Sequence, residues 1–405
     1  MAAEHPYVAI IGAGLGGLCL AQGLKQRGVP FGVFERDHSA CDRRQGYRIR
    51  IDRQGQAALH ECLPDASYAL FRATSALPVS GAHVFNSRLE DITNRWVTAW
   101  QRSGDAPPGD DDDSDDLRVH RLTLREVLMS GIEKQLHFGK AFSHYEERDK
   151  EVIVHFSDGS SLAADVLVGA DGIHSKVRRQ RLPAHEPLDT RSVCIYGQSR
   201  PGLELPASSA EDFMARTSII FADGASVIVD PMRFRATSFD ASASRSRLSR
   251  VDDYLYWAII GTRAAFGLSA EAPLACEEPA LVALIDDLTR SWSPAVKALF
   301  KHAEPSSMAM MAVRAAPPAP PWKPGRVTVL GDAIHAMSPA GGLGANTALR
   351  DAAMLAACLG NNLTGEAAVS QAIGEYETAM RNYAALAIQA SENGSRVLFG
   401  QSQDA

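Results

Sequence analysis

The chain has 405 residues, 45% of them hydrophobic and 22% charged, with a formal net charge of −7; this is an ordinary globular composition, long enough for one large domain with an insertion. The acidic balance argues against a nucleic-acid partner. No apolar segment approaches the ~18 residues of a membrane span and no signal peptide is read before Tyr7, so a cytoplasmic protein away from the membrane is expected.

Cys19, Cys41, Cys62, Cys194, Cys276 and Cys358 are scattered, with no C-x-x-C pair and no histidine at zinc-ligand spacing. They read as reduced thiols, and no metal site is expected. Tyr7-Val8-Ala9-Ile10-Ile11 is a continuous apolar run, the pattern of a strand buried on both faces of a parallel sheet. Gly12-Ala13-Gly14-Leu15-Gly16-Gly17 follows; Leu18, Leu20, Ala21 and Leu24 then recur at helical spacing, with Cys19 as a small core residue among them. A second strand from Pro30 to Phe34 closes on Glu35, with Arg36 beside it. In such a strand–turn–helix–strand unit Gly12 permits the tight turn, Gly14 lets the backbone approach a pyrophosphate and Gly17 lets helix and strand pack closely. Glu35, about 20 residues on, stands where a carboxylate accepts ribose hydroxyls. The ligand is a dinucleotide, and the fingerprint alone leaves FAD and NAD open.

From Tyr47 the chain alternates, with Tyr47, Ile49 and Ile51 on one strand face and Arg48 and Arg50 on the other; those arginines either approach phosphate or flavin or face solvent. Six aspartates between Asp110 and Asp116 read as a solvated loop. Arg121 opens a helix carrying Leu124 and Leu128 and is suited to a bidentate phosphate contact. A hairpin around Ser157-Asp158-Gly159-Ser160 leads to a buried strand ending in Ala170-Asp171-Gly172, with Ser175 and Arg178 on the turns beyond; an ordinary turn with a helix cap is the alternative there.

Between Arg191 and Arg314 the pattern becomes strand-like at residues 192–196, 218–221, 225–229 and 254–260, the expected cover over a substrate. Met308, Met310 and Met311 are placed in its last strand as core, and Arg191 on the surface. Pro317, Pro318, Pro320 and Pro321 mark a linker. Residues 326–330 then read as a strand ending at Asp332, where a carboxylate takes a hydroxyl; after Pro339, Gly341, Gly342 and Gly344 allow close backbone approach. A helix starting near Gly344 aims its positive end at negative charge in the site, and a mostly helical tail runs from Ala367 to Phe399.

Together, the glycine unit with Glu35, Arg121-x-x-Leu124, Ala170-Asp171-Gly172 and Gly331-Asp332…Pro339…Gly342-x-Gly344-x-Asn346…Asp351 resemble, in order, the motifs of FAD-dependent aromatic hydroxylases, the single-component flavoprotein monooxygenases of the para-hydroxybenzoate hydroxylase type. The resemblance covers about residues 7–360 and implies an α/β fold: a doubly wound, Rossmann-like FAD domain with an inserted antiparallel substrate sheet and C-terminal helices. The implied division is FAD domain at 1–75, 109–185 and 321–405 and substrate domain at 76–108 and 186–320, without the large C-terminal domain of some relatives.

By that resemblance Glu35 binds adenosine ribose, Arg121 the pyrophosphate and Asp332 a ribityl hydroxyl. Gly342, Gly344, Ala345 and Asn346 cradle the flavin's pyrimidine edge through their backbone, and Pro339 lies near the oxygen-reacting face. Asp171 serves FAD and nicotinamide handling, and Arg44 and Gly46 are further cofactor positions. The implied activity is hydroxylation or epoxidation of an aromatic or polyketide-like molecule through a flavin C4a-hydroperoxide, with NADPH or NADH and O2, in a monomer or homodimer.

Only one full G-x-G-x-x-G unit is present, so the nicotinamide is expected as a transient visitor. No catalytic side chain is assigned, because the cofactor carries the chemistry. The alternatives are a flavin-dependent halogenase, whose W-x-W-x-I-P signature is only loosely echoed at residues 254–259, and a non-enzymatic FAD-binding protein.

Overall fold

The computed structural model of the chain describes residues 5–39, 42, 47–79, 82–92, 116–200, 213–235, 248–271, 274, 277–361 and 366–399. Arg44, Gly46, Cys41, Cys276 and the aspartate run before Asp116 lie outside the described residues.

Four continuous apolar runs become the heart of a five-stranded parallel sheet, in the order Val327–Val329, Val166–Gly169, Val8–Ile11, Phe31–Phe34 and Leu136–His137. The first four strands are buried at every position, as both faces of the sheet are covered. Helices Leu15–Gln26, Arg53–Cys62 and Gly344–Gly360 pack together on it. Two of them approach unusually closely, since a Cβ added at Gly23 would stand 2.7 Å from Ala356 Cβ. A separate three-stranded sheet, Phe142–Glu147, Val152–Phe156 and Ser161–Ala164, contains the expected hairpin and one strand more.

The substrate-side pieces form a six-stranded sheet in the order Ala309–Ala315, Leu188–Ser199, Tyr254–Thr262, Ala225–Met232, Thr217–Ala222 and Ala82–Asn86. Its pairs are antiparallel except the last, in which Ala82–Asn86 runs parallel to Thr217–Ala222. Val193, Ile195, Val227, Val229, Trp257 and Ile259 point to one side. There they meet helices Glu278–Leu288 and Pro294–Lys301, which the strand-like reading of this region did not anticipate. Met308 precedes the last strand and packs in this core with Met310, whereas Met311 is 46% exposed on the opposite register. Arg191 is exposed at a bulge, with φ 59°.

The alternate residues Cys194, Tyr196, Ile219, Phe221, Ile228, Ala258 and Ile260 face the other way and cluster with Ala340 and Leu398. The sheet therefore presents an apolar inner face to the Pro339 turn. The tail is one 33-residue helix, Glu366–Leu398. Along its length Tyr376 OH donates to Val329 O (2.9 Å) and Ser391 Oγ to Ser338 O (2.8 Å), while Leu398 reaches the inner face of the substrate sheet.

Candidate functional site

Ile11, Gly169 and Val329 stand in register on three adjacent parallel strands, so the turns that follow them leave the sheet on the same edge. With a strand spacing of roughly 4.8 Å, their mouths open within about 10 Å of one another.

In the first turn Gly12 has φ 109°, and a Cβ there would lie 2.4 Å from Ala170 O; one on Gly17 would lie 2.2 Å from Gly12 O. Both glycines are demanded by backbone contact. A Cβ on Gly14 would meet nothing within 4 Å, so this peptide faces open space. Helix Leu15–Gln26 begins after Gly14 with no side-chain cap, leaving its first N–H groups for a ligand. Glu35 is buried and accepts Ala13 N–H at 2.8 Å through Oε2, while Arg125 Nε donates to Ala13 O at 2.9 Å. Arg125, which sequence reasoning did not single out, lies one turn beyond Arg121 in helix Arg121–Met129 and fastens that helix to the glycine turn.

Arg121 is half-buried and its N–H donates to Tyr47 O at 2.8 Å. Arg36 is 60% exposed in its side chain beside Asp37. Burial, joined by Arg314, Arg179 and Arg36, holds His174 below the usual imidazole range.

In that second turn Asp171 accepts Lys176 N–H at 2.8 Å, Gly172 (φ 75°) faces open space, and burial raises the Asp171 carboxyl above its ordinary range. Ser175 caps the short helix Lys176–Arg181 by accepting Arg178 N–H. The fully buried Arg178 guanidinium donates to Ile173 O (2.9 Å) and Ala333 O (3.2 Å) and pairs with Glu186 at 2.8 Å, tying the second turn to the third.

In the third turn Gly331 (φ 62°) donates its N–H to Asp351 Oδ2 at 2.7 Å. The same oxygen stands 2.6 Å from His335 Nε2, and Tyr383 OH donates to Asp351 Oδ1 at 2.7 Å. Burial opposes protonation of His335, but the Asp351 carboxylate outweighs it and the imidazole pKa is raised. Asp332 is exposed, and its Oδ1 would be 3.7 Å from a Cβ on Gly344. Its carboxylate thus lies beside the uncapped start of helix Gly344–Gly360.

Pro339–Gly341 is a 3-10 turn, and Gly342 (φ 63°) faces open space. Gly344 and Ala345 are half-buried. The Asn346 side chain is committed internally: Nδ2 donates to Gly342 O and Arg50 O, and Oδ1 accepts Asp52 N–H, each at 3.0 Å. Its side chain braces the loop, leaving the backbone to meet a ligand.

Arg48 and Arg50 both end in ion pairs. Arg50 Nε donates to Asp116 at 2.6 Å, so the last aspartate of the acidic run is an ion-pair partner. Arg48 reaches into the substrate sheet and pairs with the fully buried Asp230 at 2.5 Å.

A family model for the FAD binding domain matches residues 283–391. The chain is 35% identical, over 98% of its length, to the dual O-methyltransferase/FAD-dependent monooxygenase CTB3 of Cercospora beticola, of which it covers 47%. It is 26% identical to 6-hydroxynicotinate 3-monooxygenase of Pseudomonas fluorescens, covering 88% of this chain and 83% of that protein. A protein from Photorhabdus luminescens subsp. laumondii assigned as an FAD-containing monooxygenase superposes with a TM-score of 0.78 at 29% identity, covering 98% of this chain and all of that one. Over nearly its whole length the chain is thus similar to the family of FAD-dependent monooxygenases.

Klebsiella pneumoniae HpxO, solved with FAD and uric acid, shares this hydroxylase fold with a TM-score of 0.75 at 22% identity, covering 99% of this chain and 90% of that one. The chain spans about half the length of three curated relatives to which it is 34–35% identical. FAD is the family's cofactor, and the residues present fit it: two helix starts without side-chain caps and three glycines facing open space surround one edge of the parallel sheet. Among the described residues no helix is long and apolar enough to cross a membrane.

Proposed function

We propose that this chain is a monooxygenase that uses FAD, NADPH or NADH, and O2 to hydroxylate or epoxidise an aromatic or polyketide-like small molecule. The observation that carries the reading is the convergence of the three turns on one sheet edge, where the Pro339 turn contacts the inner face of the second sheet through Ala340. Two relatives are named for oxygenation of ring compounds, 6-methylsalicylate and 6-hydroxynicotinate. Bound FAD, reduced by the nicotinamide, activates O2 and supplies the oxygen atom that is transferred.

The chain's own residues bind and orient. In this reading Gly12, Ala13, Gly14 and Gly17 receive the pyrophosphate at the start of helix Leu15–Gln26, with Arg121 as counter-charge. Glu35 and Arg36 hold the adenosine end, and Asp171 lines the side from which the nicotinamide approaches. Asp332 holds the ribityl chain. The backbone at Gly342, Gly344, Ala345 and Asn346 supports the ring, where the helix start favours negative charge. Pro339 shapes the face above it, and the inner sheet face excludes water. The division into cofactor segments (1–75, 109–185, 321–405) and substrate segments (76–108, 186–320) belongs to the same proposal.

The test is oxidation of NADPH or NADH by the purified, FAD-loaded chain in the presence of 18O2 and a panel of phenolic and polyketide-like compounds. One labelled oxygen atom in a product is the expected result. Nicotinamide oxidation that never depends on O2, or a chain that takes up no FAD, overturns the reading.

A further inference from the structure

The outer face of the three-stranded sheet carries a cluster of side chains that the cofactor reading does not use. Phe142, Tyr145, Val152, Val154 and Phe156 turn inward to the nucleotide-side core, and His144, Glu146 and His155 stand on the side away from it. A backbone irregularity produces this arrangement. Phe142 pairs with Phe156, but the next pair is His144 with His155, so Ser143 is an extra residue in strand Phe142–Glu147. In an unbroken register His144 and Glu146 would share the inward face with Phe142. The bulge shifts the phase by one residue: Tyr145 is buried, His144 comes directly opposite His155, and Glu146 follows two residues along on the same face. No local ligand spacing announces the cluster, because the bulge and the strand pairing bring it together.

The polar atoms converge. One nitrogen or oxygen from each of the three side chains lies within 4.8 Å of the others. His155 Nε2 is 3.4 Å from Glu146 Oε1, yet it is shielded from solvent and makes no hydrogen bond. His144 Nδ1 stands 3.2 Å from Ser143 Oγ, a contact that steadies the ring and leaves Nε2 for another partner. Arg148 approaches Glu146 Oε2 only at 3.6 Å and is shared with Glu151 at 3.5 Å, an exposed and weakly held arrangement. Two neutral imidazoles and a carboxylate aim lone pairs at one another, which repel unless a cation lies between them. Ligand atoms around a tetrahedral zinc ion stand about 3.4 Å apart, so closing the site takes roughly 1.4 Å of side-chain movement at most. The imidazoles stack at 4.4 Å between centroids and 6° between planes. An ion is held in the plane of each ring, so both rings must turn out of that stack about Cβ–Cγ, a soft torsion for side chains on a sheet surface.

We propose that His144, Glu146 and His155 form a surface site for a divalent transition cation of the zinc class, which clasps two strands and keeps a fourth position open to water. Two nitrogens and one oxygen select zinc, nickel or copper over magnesium and calcium, which take oxygen donors. The site is independent of the monooxygenase reading, since its residues face away from the core that carries the cofactor turns.

Calorimetric titration of the untagged, FAD-loaded chain, freed of metal by a chelator that is then removed, tests it with ZnCl2 and separately with MgCl2. Zn2+ is expected to bind with a single-site isotherm and a Kd on the order of micromolar, and Mg2+ to give no saturable heat. His144→Ala and His155→Ala should each weaken Zn2+ by about tenfold or more, Glu146→Gln should weaken it less, and the double histidine variant should abolish it. Co2+ in place of Zn2+ should give visible d–d absorption in the wild type and not in the double variant. Unchanged Tm and flavin absorbance without metal identify the variants as folded, as expected for substitutions on a solvent-facing sheet surface. Absence of saturable Zn2+ binding, full affinity in the double variant, or Mg2+ bound as tightly as Zn2+ overturns the proposal. Because binding heat needs no flavin chemistry, a chain that fails to oxygenate still answers the metal question, and one that oxygenates without binding Zn2+ sinks only this inference.

Discussion

At the scale of single residues, exposed and buried groups at this site respond differently to substitution. Asp332 is exposed and, among the described residues, no hydrogen bond to its carboxylate is seen, so Asp332→Ala should leave thermal stability nearly unchanged. A lost hydrogen bond to a charged group is worth about 1.5–3 kcal/mol, so FAD should bind roughly ten- to a hundredfold more weakly, as read by flavin fluorescence titration. Unchanged FAD affinity would remove Asp332 from the cofactor site. His120 behaves oppositely. Burial against Tyr254 lowers its pKa to about 4, so the unfolded chain binds this proton more readily than the folded one. The stability it contributes is complete above pH 6.5 and is lost as pH falls through about 4, a loss of about 3 kcal/mol for the shift from 6.5. Thermal melts of wild type and His120→Gln between pH 7 and 4 should diverge least at the acid end; parallel profiles would contradict the neutral buried imidazole.

At the scale of elements, helix packing outweighs intrinsic propensity. Gly23 lies inside helix Leu15–Gln26, where Ala is better by about 1 kcal/mol on propensity alone. Its added Cβ would stand 2.7 Å from Ala356 Cβ and 3.0 Å from Cys62 Sγ, however. Overpacking of that kind costs about 1–3 kcal/mol, so Gly23→Ala is expected to lower Tm, with a matching change in the urea midpoint. A rise in Tm would mean that the helices can part without cost. The strands show the same limit of local reasoning. Alternation at Arg48 and Arg50 correctly separates the two faces of a short strand. It carries no information about what covers the polar face, and the answer, Asp230 and Asp116, comes from partners 182 and 66 residues away in sequence.

At the scale of the whole molecule, the final helix acts as a splint. From Tyr376 to Leu398 it runs about 33 Å, touching the parallel sheet at Val329, the loop at Ser338 and the inner face of the substrate sheet. Ser391 and Ser395 hold the carbonyl and hydroxyl of Ser338, each at 2.8 Å, immediately before Pro339. Each bond contributes about 1 kcal/mol, so Ser391→Ala with Ser395→Ala should destabilise the chain by about 2 kcal/mol and, if the proposed placement of the flavin beside this turn holds, weaken FAD retention. Loss of stability with full FAD affinity would confine the helix to a packing role.

The cofactor edge is largely legible in the amino-acid sequence, because its demands are local. Gly12, Gly14 and Gly17 answer to backbone distances within one turn, and continuous apolar runs announce strands covered on both faces. The start of the helix at Gly344 and the strand ends before Asp171 and Asp332 follow from the same short-range rules. Helices Glu278–Leu288 and Pro294–Lys301, the parallel edge strand Ala82–Asn86, the Arg125 and Arg178 fastenings and the Arg48–Asp230 pair were decided only by tertiary structure. The physical reason is that a turn's geometry is set by neighbours in the chain. The partner of a buried charge, or the surface that covers an amphipathic face, is whichever group the folded topology brings within a few ångströms.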